Sequence, residues 1–407
     1  MKNILTIIVF AIATINCTSQ TVNFYYDRGA KKLANKQYDD AIKDFTLVID
    51  KDKDYYEAFN DRGVAYLATK KNDLALRDFA GAIKANPKFI DAYINRSSFY
   101  ISQNKIPEAI ADLTEIIKLK PNKKDYYEMR GSLYYKSKNN DLAIQDFNKS
   151  IELKTTKPDI FYNSGIINLE QKKNDDALKN FNEAVKLNPN YKEAYYSRGL
   201  VYYQSKTYSS AIQDFSKALG LSFENQDVYL YRANSYFENK QYKEAIVDYT
   251  KLITTYKTKD LTAFYQRGVS YTETAQYDLA VKDFGKAIII NKEHFPSYYS
   301  RAEAYSKLGK SKETLAIKDF SKAIELNPSC QEAYLKRGIY YMNKKKYEQA
   351  VEDLSKAIKL NPTAEAYFYR GAAYYELKKQ KEACADLKKA SDMKYAPAIK
   401  DYGKLCY

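Results

Sequence analysis

An alanine returns at one fixed place in a unit of about 34 residues, eleven times along this chain. It is Ala41, Ala75, Ala109, Ala143, Ala177, Ala211, Ala245, Ala280, Ala316, Ala350 and Ala383. The steps are 34 six times running, then 35, 36, 34 and 33. One period held over nearly all of a 407-residue chain specifies a stack of supersecondary units, not a single globular core. Function in such a chain belongs on a long repeated surface, not in a cleft between lobes.

Residues 192–225 show the unit most clearly, and its places are numbered 1 to 34. KEAYYSRGLVYYQS reads as a helix, KTYS as a turn and SAIQDFSKALGL as a second helix, which suits antiparallel neighbours on a short connection. Place 8 holds Gly29, Gly63, Ser97, Gly131, Gly165, Gly199, Ala233, Gly268, Ala302, Gly338 and Gly371, nothing larger than serine. Glycine inside a helix costs about 0.5–1 kcal/mol against alanine, so eight of them require a packing reason. The expectation is close approach of the second helix through the alanine at place 20. Place 24 then fills the space beside it with bulk, from Phe45 through Phe215 and Tyr249 to Leu387. Place 4 is aromatic in every unit, from Tyr25 through Phe161 and Tyr195 to Tyr367.

Place 7 is arginine and place 23 is aspartate in ten units; the fifth has Ser164 and Asn180 instead, losing both together. Paired loss predicts contact across the two helices of one unit: Arg198 with Asp214, Arg232 with Asp248, Arg267 with Asp283, and so on. Such a bridge, partly buried, fixes the register of the hairpin, and breaking one member of a truly buried pair costs about 3–5 kcal/mol.

These residues resemble the tetratricopeptide repeat family. Its pattern is an aromatic at place 4, a small residue at 8, tyrosine at 11, alanine at 20 and 27, an aromatic at 24 and proline at 32. Tyrosine stands at place 11 as Tyr66, Tyr202, Tyr236 and six others, with Lys32 and Asn168 departing. The closing Asn-Pro recurs at Asn86-Pro87, Asn188-Pro189, Asn327-Pro328 and Asn361-Pro362. The resemblance covers residues 22–395 and implies an all-α fold. It is a right-handed α-solenoid superhelix of about eleven helix-turn-helix repeats, starting near 22, 56, 90, 124, 158, 192, 226, 261, 295, 331 and 364. Residues 396–407, APAIKDYGKLCY, read as a C-terminal capping helix shielding the last hairpin's apolar face.

Residues 1–17 read as a signal peptide: one positive residue, then an apolar run from Ile4 to Ile15 too short to span a bilayer. Two processing readings stand. Ala11-Ile12-Ala13 suits a small-residue cleavage site, whereas Cys17 after the apolar run is a lipidation candidate of bacterial lipoprotein type, the preferred reading although Asn16 and Thr14 depart from that pattern. Export to a bacterial cell envelope follows, periplasmic or lipid-anchored at the amino end. In that oxidising setting Cys384 and Cys406 are a candidate disulfide holding the cap, with two buried thiols as the alternative; Cys330 is left over.

The net charge is +15, and lysine clusters in the turns, as at Lys70-Lys71, Lys172-Lys173 and Lys344 to Lys346. A basic edge of this kind suits anionic lipid or polysaccharide, and its plain counterpart is a solvated lysine fringe. In relatives of this family, places 2, 5, 9, 12 and 13 line a concave groove that grips an extended peptide or helix. Here that implies a partner-binding groove of Tyr162, Ile166, Tyr196, Leu200, Tyr203, Leu230, Phe237, Tyr265, Val269 and Tyr299. The plain alternative is that these side chains pack between units. No unit pairs lysine at place 5 with asparagine at place 9, so recognition of a terminal carboxylate is not expected; Asn234 at place 9 stands beside Leu230.

One histidine, His294, cannot build a metal cluster, and no nucleophile motif or phosphate loop accompanies it. The expected protein is non-enzymatic, binds neither cofactor nor metal nor nucleic acid, and meets a membrane only through an amino-terminal lipid. It is expected to be a protein–protein interaction scaffold in the envelope, with the lysine edge as the competing binding surface.

Overall fold

The computed structural model describes residues 20–406, so the expected signal segment, the candidate cleavage site at Ala11-Ile12-Ala13 and the lipidation candidate Cys17 lie outside the described residues. Every regular element among the described residues is helical. The first helices of the repeats are 20–34, Tyr56–Ala68, Ile90–Ser102, Lys124–Lys136, Pro158–Glu170, Lys192–Gln204, Gln226–Glu238, Leu261–Glu273, Phe295–Lys307, Gln331–Asn343 and Ala364–Glu376. Their second helices run Tyr38–Lys51, Asn72–Ala85, Ile106–Leu119, Asn140–Glu152, Asn174–Leu187, Tyr208–Gly220, Tyr242–Thr254, Tyr277–Ile290, Glu313–Leu326, Tyr347–Leu360 and Gln380–Asp392. A last helix, Ala396–Leu405, packs on Gln380–Asp392. The chain divides into two compact units, up to Pro189 and from Asn190.

Within each unit, the two helices of a hairpin pack on one another, and each second helix also packs on the next first helix. The place-20 alanines are fully buried in every repeat. Their small side chains let the two helices approach, but they are not what excludes a side chain at place 8. A Cβ built on Gly199 would meet Phe215 Cε1 at 2.8 Å, and one on Gly63 would meet Phe79 Cε1 at 2.7 Å. The side chain at place 24 therefore occupies the space over the glycine, and the expectation that the alanine dictates it is corrected. Ser97 beside Leu113, Ala233 beside Tyr249 and Ala302 beside Phe320 hold a buried Cβ at place 8, so the exclusion is local to the glycine repeats.

In several repeats the arginine at place 7 is a three-way junction. Arg62 Nε and Nη2 donate to the two carboxylate oxygens of Asp78 at 2.8 and 2.9 Å, while Nη1 donates to Thr46 Oγ1 of the preceding repeat at 3.0 Å. The guanidinium also sits 5.8 Å from the rings of Phe59 and Tyr66, the aromatics of places 4 and 11. The same bidentate geometry joins Arg198 to Asp214, Arg232 to Asp248 and Arg267 to Asp283 at 2.6–2.8 Å. Planar guanidinium suits this better than ammonium, since it offers a fork to the carboxylate and flat faces to two rings. Burial outweighs the arginine at Asp214 and Asp248 and pushes both carboxyls up, whereas at Asp44 the bonds from Arg28 and Lys32 prevail and hold the carboxyl down. In the fifth repeat, which lacks the pair, an open cleft of about 520 Å³ is lined by Asn148, Phe161, Asn168 and Asn180.

The turns inside the hairpins share one device. Place 15 has a left-handed backbone in every repeat, and lysine fills it at Lys36, Lys70, Lys138, Lys172, Lys206, Lys240, Lys345 and Lys378, with φ between 58° and 63°. The next amide then closes the helix end, as Thr207 N donates to Tyr202 O at 2.8 Å. A cation at a helix C-terminus complements the carbonyl end of the helix dipole. The lysine fringe thus has a local structural cause.

Cys384 and Cys406 are disulfide-bonded, with Cα atoms 5.6 Å apart, and Cys330 is free. Gln380 Nε2 donates to Leu405 O at 2.6 Å, a second tie on the terminal helix.

Candidate protein-interaction face

At several steps the first helices of successive repeats touch directly, as Tyr56–Ala68 touches Ile90–Ser102 in the first unit and Lys192–Gln204 touches Gln226–Glu238 in the second. Successive second helices make no comparable contact. Neighbouring repeats therefore close toward their first helices, which form the inner face of each unit.

The aromatic and aliphatic candidates sit in the floor of that face, each partly exposed and partly packed against its neighbours. All ten are half-buried. At place 5 the tyrosines lean on the ring at place 24 of their own repeat. Ring centroids are 6.0 Å apart for Tyr162 and Phe181, 6.0 Å for Tyr196 and Phe215, 5.8 Å for Tyr265 and Phe284, and 5.7 Å for Tyr299 and Phe320. Their other side meets the chain entering the next repeat: Tyr196 lies 5.4 Å from Phe223, and Tyr265 lies 5.2 Å from the imidazole of His294. Leu200 and Tyr203 pack with Tyr196 around Phe215; Leu230 and Phe237 pack around Tyr249; Val269 packs around Phe284. Ile166 is half-buried on Pro158–Glu170. Burial pushes the Tyr196 hydroxyl up to about 12, and moves those of Tyr203 and Tyr299 in the same direction. The place-5 tyrosines thus pack as wedges between repeats.

Asn234 has a structural task as well. The buried Tyr249, alone in carrying a hydroxyl at place 24, donates to Asn234 Oδ1 at 2.8 Å and lies 2.6 Å from Gln266 Oε1. His294 Nδ1 is 2.7 Å from Ser297 Oγ, and burial lowers the imidazole's affinity for a proton. Among the described residues no group of histidine, cysteine or carboxylate side chains is arranged to hold a metal ion. No described helix is long and apolar enough to cross a membrane.

What the inner face presents to water is negative charge. Place 2 carries Glu57, Asp91, Asp125, Asp159, Glu193, Asp227, Glu332 and Glu365; place 13 adds Glu170, Glu238, Glu273 and Glu376; Glu303 at place 9 is half-buried, and Glu128 at place 5, the fourteenth, is buried beneath them. Against these fourteen carboxylates, places 2, 5, 9 and 13 hold two cations, Lys136 and Lys307. In the second unit a cleft of about 510 Å³ gathers Glu273, Glu303 and Glu365 with Lys307 and Lys336. In the first unit, Tyr26 donates to Asp61 at 2.9 Å, Asn60 donates to Asp61 at 3.1 Å, and Asn95 donates to Asn60 at 2.8 Å, a polar ladder across three repeats. A carboxylate in the first turn of a helix is favoured by the dipole, which gives the place-2 column a local reason. The resulting field exists regardless of that reason. The signal lies in the sequence, place by place, but is hidden when charge is summed over the chain. The lysine edge, by contrast, is partly neutralised: Lys71 pairs with Asp39 at 3.2 Å and Lys344 with Glu313 at 2.7 Å.

Tetratricopeptide repeat family profiles match residues 26–88, 90–123, 125–157, 165–206, 192–225, 227–258, 261–294, 295–330, 332–363 and 365–392. Among curated proteins none matches the chain. Solved structures that resemble it include MamA from Desulfovibrio magneticus, at 19% identity over 42% of this chain and 94% of that one, with a TM-score of 0.39. Yeast Tom70 is 16% identical over 88% of this chain and 97% of its own, with a TM-score of 0.36. The P58(IPK) repeat domain is 19% identical over 88% and 98%, with a TM-score of 0.29. With repeat matches following one another along nearly the whole length, this chain belongs to the tetratricopeptide repeat family, whose members serve as protein-interaction scaffolds.

Proposed function

We propose that this chain is a non-enzymatic scaffold of a bacterial cell envelope that grips a basic segment of a partner protein on the inner face of its first helices. One observation carries the reading: a chain of net charge +15 sets fourteen carboxylates against two lysines on the stripe that the first helices turn inward. Opposite charge steers encounter and fixes register, while the half-buried tyrosines beneath offer apolar edges and hydroxyls to a seated chain. Residence in the envelope is supported by the apolar amino-terminal run and by the Cys384–Cys406 disulfide, which an oxidising compartment preserves.

The test is charge reversal at two exposed carboxylates, Asp91→Lys with Asp227→Lys, compared with Lys70→Glu and Lys172→Glu in the turns. Binding of a partner captured from envelope extract is expected to fall by about tenfold or more in the first variant and to persist in the second. Loss in the turn variant alone places recognition on the lysine edge and rejects this reading. Wedge tyrosines such as Tyr196 are unsuitable for this test, because their removal disturbs packing between repeats.

A further inference from the structure

We infer that the cleft around Glu128 in the fourth repeat is a socket for an arginine side chain of a bound partner. This rests on the inner-face reading above and names a specific contact within it. Place 5 is aromatic, aliphatic or amide in the other ten repeats, and glutamate only here. Glu128 is 2% exposed, and its Oε1 has no hydrogen-bond partner among the described residues. Its Oε2 lies 2.7 Å from Lys157 Nζ. Lys157 is 58% exposed, so the group that neutralises the buried carboxylate reaches it from the rim and is open to water.

The surroundings are built for a cation on an apolar stem. Glu128 lines a cleft of about 300 Å³ together with Ile101, Met129, Leu133 and Ile160. Asp125 and Asp159, outside ion-pair distance, add a weaker attraction on the Lys157 ammonium, and Asp159 also lines the cleft. A buried carboxylate with an unserved oxygen is costly, and a single ammonium does not serve both oxygens in a fork. A guanidinium does, with two parallel N–H bonds, and its methylenes lie well against aliphatic walls. An incoming arginine therefore displaces Lys157, whose ammonium turns outward to Asp125 and Asp159, and takes both oxygens of Glu128.

The full chain offers a clean probe, because it has only four methionines and Met129 lines the cleft. With methyl-labelled methionine, titration by N-acetyl-arginine methylamide is expected to shift the Met129 resonance and leave those of Met342 and Met393 in place. The citrulline analogue, equal in shape and neutral, is expected to leave Met129 unmoved. Glu128→Gln is expected to weaken the arginine probe about tenfold or more, and Lys157→Ala to tighten it by removing the resident competitor. An unmoved Met129 in both wild type and Lys157→Ala, or equal arginine affinity in wild type and Glu128→Gln, overturns the socket. If those fail while Asp91→Lys with Asp227→Lys still loses the partner, the socket falls and the inner-face reading stands.

Discussion

Arg232 holds both carboxylate oxygens of Asp248 at 2.7 Å and reaches back to Ser216 Oγ of the preceding repeat at 3.1 Å. Asp248 is 2% exposed, and burial pushes its carboxyl up even beside the guanidinium, so its ionised form is held at a cost. Removing one partner strands a buried charge; replacing both with apolar groups does not. Asp248→Ala is expected to cost about 3–5 kcal/mol in denaturant unfolding, and Arg232→Met with Asp248→Leu far less than the sum of the single changes. Additive costs would show that the pair does not act as a unit.

Tyr249→Phe restores the commonest side chain of place 24 but strips a buried hydroxyl from Asn234 and Gln266. The change is expected to destabilise by about 1 kcal/mol, measured as a lower denaturant midpoint at unchanged slope. A gain in stability would mean the polar contact contributes nothing.

Lys206 and Lys240 hold φ at 58°, where a Cβ is unfavourable and glycine is not. Lys206→Gly is expected to raise stability by up to about 1 kcal/mol, and Lys206→Val to lower it by more than that. Thermal unfolding of the two variants checks the ordering, and an equal effect of both would contradict it.

Burial pushes the Asp61 carboxyl above its ordinary range; bonds from Tyr26 and Asn60 oppose the rise, and the nearby Glu57 and Asp91 add to it. A folded-state value above the unfolded one means that the contribution is full below the unfolded carboxylate range, about pH 4, and fades as pH rises through the folded value. Asp61→Asn removes the charge and keeps an acceptor for Tyr26. The difference in Tm, variant minus wild type, is expected to grow from pH 4 to pH 7; a flat or falling difference would contradict the assignment.

The disulfide closes a loop of sequence separation 22 around the terminal helix. In the chain-entropy model its removal costs about 3 kcal/mol, felt first by Ala396–Leu405, which packs on Gln380–Asp392. Hydrogen exchange in that helix is expected to accelerate in Cys384→Ser with Cys406→Ser, while exchange in repeats 1–5 stays unchanged. Titration of unfolded, non-reduced protein should find Cys330 reactive and neither Cys384 nor Cys406.

The hairpins were legible because alanine, glycine and aromatic places recur in one register, and only two helices packed face to face keep that register. The Arg–Asp junction was legible from the joint loss at Ser164 and Asn180. What sits over Gly199 was not, because the direction of the Phe215 ring depends on the hairpin's geometry rather than its spacing. Helical periodicity placed Tyr196 and Tyr265 on the inner stripe but carries no depth, and depth separates a wedge from a contact surface. Lysine in the turns reads as a charge pattern in sequence, because spacing does not report the positive φ of Lys70 and Lys206. The carboxylate column needed only a census by place, which the overall charge obscured.

Site-specific photocrosslinking tests most directly where a partner sits. A benzophenone amino acid at the exposed inner-face positions Ser98, Ser132 and Gln204 would be compared with the same probe at the exposed second-helix positions Val247 and Ile289. In envelope extract the inner positions are expected to yield one shared protein adduct, lost on charge reversal at Asp91 and Asp227. Adducts confined to Val247 and Ile289, or unaffected by that reversal, would contradict the account.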